Sequence, residues 1–152
     1  MSHKIPLMVA AALAALLVLT AVQAQGPHPP ADGPYPRVDV STTFDAADET
    51  SASGTITVCN TSEDPIDVTI ESIDDNLYYH KQRPGSWEWL LKATVSDDLA
   101  AGVVIAAGEC VDGSWQASYN LPDGTINIRN EVQVELEERE MVFFGRDCFD
   151  FR

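Results

Sequence analysis

The sequence predicts an all-β domain, a sandwich or a barrel. Three observations carry that reading. Apolar residues alternate with polar ones in five separate segments. Turn-forming clusters divide those segments at intervals of roughly ten to twenty residues, as in sandwiches and barrels rather than βαβ folds. No convincing amphipathic helix occurs; "WEWLLKATVSDDLAAG" has too much β-branched and aromatic content for more than a turn or two.

The chain opens "MSHKIPLMVAAALAALLVLTAVQAQG". His3 and Lys4 make a short basic start, and Leu7 to Val22 is an apolar run broken by Thr20. Val22-Gln23-Ala24 then places small residues at −3 and −1 of a cleavage point, the anatomy of a secretory signal. That pattern favours cleavage after Ala24 over an uncleaved anchor, although the run approaches the ~18 residues of a membrane span. Residues 1–24 are therefore read as a signal peptide, and the protein as secreted, periplasmic or at the cell surface. Residues 25–36, "QGPHPPADGPYP", hold five of the nine prolines and read as an extended linker. Residues 37–152 remain as one domain.

Within that domain "RVDVSTTF" alternates at Val38 and Val40. "SGTITVCN" sets Ile56 and Val58 on one face and Thr55, Thr57 and Cys59 on the other. "PIDVTIESI" sets Ile66, Val68, Ile70 and Ser72 against Asp67, Thr69 and Glu71. "SWQASYNL" aligns Trp115, Ala117, Tyr119 and Leu121. "TINIRNEVQVEL" aligns Ile126 and Ile128, then Val132, Val134 and Leu136. Such period-two patterns mark half-buried strands with one wet face. The tail "EEREMVFFGRDCFDFR" predicts one strand around Val142, Phe143 and Phe144, and a second short one with Phe149 and Phe151 on one face.

Charge limits the partners. The formal net charge is −15, and becomes −16 when Lys4 leaves with the signal. Nucleic acid is excluded because phosphate binding needs a basic patch. An anionic membrane surface is excluded for the same reason, beyond the signal segment itself. The charge keeps copies apart at low salt and suits a salty habitat.

In its order of motifs the chain resembles the Ig-like repeat modules of bacterial and archaeal surface proteins, the DUF11-like conserved-repeat group. The matches are Gly54, Ile56, Val58, Asn60, Thr61, Val68, Ile70, Ile73 and Asp74, then Ile105, Gly108, Glu109, Tyr119, Asn130, Val132 and Val134. The resemblance implies a single Ig-like antiparallel β-sandwich of about seven to eight strands. It also implies structural or adhesive work at a surface, with no catalysis and no cofactor. Two departures stand out: there is one module rather than an array, and the C-terminal tail is added.

Three cysteines, Cys59, Cys110 and Cys148, lie in the exported part, so one disulfide and one odd thiol are expected. Spacing alone leaves the pairing open. The resemblance favours Cys59 with Cys110, on neighbouring strands of one sheet and at its surface. Cys148, Phe149 and Phe151 are then candidates for assembly with another copy, through an intermolecular disulfide or a donated terminal strand. No metal site is expected: the acidic pairs Asp48-Glu49, Glu63-Asp64, Asp74-Asp75 and Asp97-Asp98 follow no calcium-loop pattern. Asn60-Thr61-Ser62 matches a glycosylation sequon.

One stretch is compositionally unusual. "YYHKQRPGSWEWLLK" concentrates two of the three lysines, Arg83, two tryptophans and two tyrosines. Trp87 and Trp89 lie two apart, so a regular strand puts both on one face, and that face is expected on the core. The turn with His80, Lys81 and Arg83, beside Tyr78 and Tyr79, is the candidate ligand surface. Tyr78, Tyr79, His80, Lys81, Arg83, Trp87 and Trp89 are thus the candidate binding residues. The expected partners are other surface proteins, glycans or copies of the chain.

Overall fold

The computed structural model describes residues 35–81 and 85–151, without the side chains of Arg139 and Glu140. The signal segment, most of the linker, and Arg83 lie outside the described residues. No helix among the described residues is long and apolar enough to cross a membrane.

Among the described residues nine strands form two antiparallel sheets. In chain order they are β1 (Val38–Ala47), β2 (Ser51–Asn60), β3 (Val68–Lys81), β4 (Glu88–Lys92), β5 (Thr94–Val95), β6 (Val104–Ile105), β7 (Cys110–Ser118), β8 (Thr125–Leu136) and β9 (Arg139–Asp150). One sheet runs β1-β2-β7-β5. The other runs β4-β3-β8-β9, with β6 paired to β3. The sandwich is as expected, with more strands than the seven to eight foreseen. Residues 88–95 supply two short strands, and the helical element is a single 3-10 turn at Asp97–Leu99. The tail forms one strand of twelve residues rather than two, because every residue from Val142 to Asp150 finds a partner on β8.

The core follows from the alternation. Ile56 and Val58 on β2 and Trp115 on β7 meet Leu77, Ile128, Val132 and Val134 from the other sheet, and all are essentially inaccessible. Burying each such side chain contributes roughly 1.5–3 kcal/mol. Trp115 is the core tryptophan. Phe44 stands edge-on to it at 5.1 Å between centroids, and its Nε1 donates to the Thr43 carbonyl. Gly54 lies under the indole, where a Cβ would sit 2.5 Å from Nε1, so no larger residue fits. Gly145 plays the same part where β9 meets β1: a Cβ there would lie 2.9 Å from the Val40 carbonyl oxygen.

A bulge in β3 corrects one expected face. The register against β8 shifts between Ile70 and Ser72, so Ser72 turns outward to Glu135 and Ile73 packs on the core. Strict alternation through Glu71 had placed Ser72 with Val68 and Ile70. Beyond the bulge the inward positions are Ile73, Asp75, Leu77 and Tyr79.

The Cys59–Cys110 disulfide is present. The two residues are directly paired across β2 and β7, with Cys59 half-buried and Cys110 exposed on the outer face. Next to them the Asn60 N–H bonds the Glu109 carbonyl, so the cystine occupies a non-hydrogen-bonded pair, where Cα atoms approach most closely. The sequon asparagine is not a surface group. Asn60 is 1% exposed, and its amide donates to the carbonyls of Ile66 at 2.7 Å and Ile105 at 2.9 Å, pinning the β2–β3 loop.

Candidate functional site

Cross-strand register assembles the candidate residues on the outer face of the β4-β3-β8-β9 sheet. Directly paired residues of neighbouring strands share a face. Trp89 on β4 pairs with Tyr78 on β3, Tyr78 with Arg129 on β8, and Arg129 with Cys148 on β9. These four form one row across the sheet. The row on one side is His80, Asn127 and Asp150; on the other it is Lys92, Asn76, Glu131 and Arg146.

Arg129 is the centre of the site. Its guanidinium carbon lies 4.9 Å from the Tyr78 ring centroid and 4.8 Å from that of Trp87. A planar cation on aromatic faces is attracted by the ring quadrupoles, by about 0.5–2 kcal/mol each. Trp87 also packs at 5.4 Å on the His80 ring, whose Nε2 is 3.2 Å from the Gly85 carbonyl oxygen. Glu131, 7% exposed, lies below, 2.8 Å from Arg146 Nε and 3.5 Å from Arg129. The carboxylate thus holds both arginines flat against the sheet.

The tryptophan pair departs from expectation. Neither Trp87 nor Trp89 belongs to the core. Trp87 precedes β4, and the register shifts between Leu77 and Tyr78, so Leu91 faces inward while Trp89 faces out. Trp89 is 59% exposed, held by a bond from its Nε1 to Asn76 Oδ1 at 3.3 Å. The exposed ion pair Lys92–Asp74 lies beside it.

Of the seven candidate binding residues, Tyr78, His80, Trp87 and Trp89 share this face. Tyr79 does not: alternation turns it inward onto the core, and its hydroxyl donates to Glu88. Lys81, at the end of β3, lies over the Tyr79 ring at 5.8 Å, away from the row. Sequence reasoning missed Arg129, which comes from a strand about fifty residues downstream of Tyr78. The available signal was the polar series Asn127, Arg129, Glu131 and Gln133 on the wet face of an otherwise apolar strand.

The assembly candidates also divide. Phe149 and Phe151 pack inward, Phe149 at 5.8 Å from Phe44 and 5.4 Å from Phe151, because their alternation matches Ile128 on the core side. Cys148 is a free, exposed thiol on the outer face. The exposed apolar residues of β9 are Val142 and Phe144.

Other features are structural. An open depression of about 650 Å³ between the β1–β2 hairpin, β7 and the end of β4 is lined by Asp48, Leu91, Lys92, Gln116 and small residues. Asp48 is committed to its turn: Oδ1 accepts from the N–H groups of Thr50 at 2.7 Å and Ser51 at 2.8 Å, which lowers its pKa. Tyr119 clamps the same hairpin, its hydroxyl donating to the carbonyls of Asp48 and Ser51. Among the described residues no three His, Cys, Asp or Glu side chains are placed to hold a metal ion.

No family model and no curated protein matches the chain. Among solved structures it is similar to the N-terminal domain of PorA, at 13% identity over 73% of this chain and 83% of that one, with a TM-score of 0.31. A likeness at that level carries no argument about function.

Proposed function

We propose that this protein is an exported, non-catalytic adhesive module of the cell surface, and that it grips neutral sugar rings on the outer face of its five-stranded sheet. The observation that carries the reading is Trp89, an indole 59% exposed near the start of the edge strand β4 and braced by Asn76. An exposed indole offers an apolar face to the C–H face of a pyranose while its surroundings stay wet. The adjacent Lys92 and Asp74 side chains, both exposed, supply a donor and acceptors for ring hydroxyls.

Charge selects against acidic glycans. The chain carries −15, and the two arginines of the face are paired with Glu131. The resemblance to DUF11-like surface modules and the export signal support the cellular setting.

The test is a glycan array of neutral oligosaccharides probed with the protein and with Trp89→Ala. Binding to a defined neutral set, lost in the variant, is the expected result. No binding, or binding unchanged by the substitution, refutes the reading.

A further inference from the structure

We infer, resting on the sugar reading, that Phe144 is a second platform of the same site, and that the site takes one extended chain of neutral β-1,4-linked pyranoses. The alternation of β9 sets the platform. Phe143 points inward and packs on the core, so Phe144 points outward, where it is 53% exposed. The wet face of the neighbouring strand β8 is polar at Asn127, Arg129, Glu131 and Gln133, so the sheet itself gives an outward phenylalanine no apolar surface to cover. Trp89, Phe144 and Tyr35 are the large aromatic side chains most exposed among the described residues, and the first two share this face.

Register fixes their separation. Phe144 pairs with Gln133 on β8, and Gln133 with Asp74 on β3. That row lies two rows beyond the one that joins Trp89, Tyr78, Arg129 and Cys148. Phe144 is therefore three strands across from Trp89 and, counted along β9 from Cys148, four residues along. At ~4.8 Å per strand and ~3.4 Å per residue the two rings stand about 20 Å apart on a diagonal of the sheet. Asn76 and Glu131 form the floor of that diagonal, 8% and 7% exposed. Arg146 and the exposed Lys92–Asp74 pair border it, with donors and acceptors for hydroxyls.

Length and shape select the ligand. A span of about 20 Å exceeds a mono- or disaccharide, so one molecule on both rings is a chain of several sugars. Both platforms belong to one sheet face, which a straight chain can follow. The β-1,4 linkage extends pyranoses as a flat ribbon whose C–H faces are apolar, whereas the α-1,4 linkage coils them. Glu131 and Asp74 lie along the path of a protein of −15, so an acidic polymer is repelled. A chain already held on Trp89 meets Phe144 at high effective concentration, which raises affinity with length.

Full-length protein is titrated calorimetrically with cellobiose, cellohexaose, the matching N-acetylglucosamine di- and hexasaccharides, and maltohexaose as the coiled control. Wild type is compared with Trp89→Ala, Phe144→Ala and Phe144→Leu, with thermal melts as a folding check. Phe144→Leu keeps apolar bulk on the strand and removes the flat ring. The expected result is that a β-1,4 hexasaccharide binds at least about tenfold tighter than its own disaccharide and than maltohexaose. Each folded Phe144 variant should lose about tenfold for that hexasaccharide and nothing for the disaccharide, while Trp89→Ala abolishes both. A hexasaccharide no tighter than its disaccharide, or one that the folded Phe144 variants bind as wild type does, overturns the inference and leaves the sugar reading standing. So does maltohexaose binding as tightly as the β-linked chains, or binding of a different neutral glycan alone. Binding that survives Trp89→Ala, or no binding of any neutral glycan, removes both.

Discussion

The Asn130 side-chain amide donates a hydrogen bond to the carboxyl of Asp75 inside the sandwich, while its own carbonyl accepts one from Thr42 at 2.6 Å. The chain of contacts joins β3, β8 and β1, and so ties the two sheets together. Asp75 is 2% exposed, and its Oδ2 has no hydrogen-bond partner among the described residues. Burial pushes its pKa up to about 7, against the opposing effect of the Asn130 bond.

This fixes an unusual pH dependence. Between the unfolded value near 3.8 and about 7, folded Asp75 keeps a proton that the unfolded chain has released. Stability therefore falls as pH rises through that window, by up to about 4 kcal/mol from this group. Asp75→Asn keeps the acceptor for Asn130 and cannot ionise. Urea melts at about pH 5 and about pH 8 should show a flatter pH dependence in the variant, and higher stability than wild type at the upper pH. Identical slopes would contradict this account.

The alternation of β2, β7 and β8 was legible in the sequence because both sheets keep one face dry. The faces of Trp87 and Trp89 were not. Spacing by two implies a shared face only within a regular strand, and here one residue precedes the strand and a register shift turns the other. Arg129 was hidden for a different reason: only pairing between β3 and β8 sets it beside Tyr78. The inward Asn130 was visible as a polar break between Ile128 and Val132, but its partners Thr42 and Asp75 lie on other strands.

The disulfide closes a separation of 51 residues between Cys59 and Cys110. The chain-entropy model gives about 4 kcal/mol for a loop of that size, an upper figure for a bridge at the sheet surface. Replacing both cysteines with alanine should lower the unfolding free energy by roughly 2–4 kcal/mol and leave the β-sheet circular dichroism in place. A loss below about 0.5 kcal/mol would mean that β2 and β7 hold their register without the bridge.

Asn60 should carry no glycan even when the chain is produced in a glycosylating host. Its amide is buried and bonded to two backbone carbonyls, so a folded acceptor is out of reach. Intact mass should match the unmodified chain. Asn60→Ala should destabilise by about 1–3 kcal/mol, because the carbonyls of Ile66 and Ile105 lose their donor. A glycosylated, fully stable protein would contradict the placement of the β2–β3 loop.

Gly145 is where β9 lies against β1. Gly145→Val should destabilise by about 1–3 kcal/mol or more, since its side chain meets the Val40 carbonyl and Ser41. Thermal melts of the variant check this, and an unchanged melt would place the two strands further apart than described.

The central claim is tested most directly by titrating the protein with the neutral oligosaccharide that gives the strongest array signal, following tryptophan fluorescence. Trp87 and Trp89 report from the sheet face, and Trp115, 1% exposed, stays silent in the core. The account predicts a saturable change that Trp89→Ala abolishes while the melting temperature is unchanged. A saturable change that survives Trp89→Ala, or none at all, would contradict it.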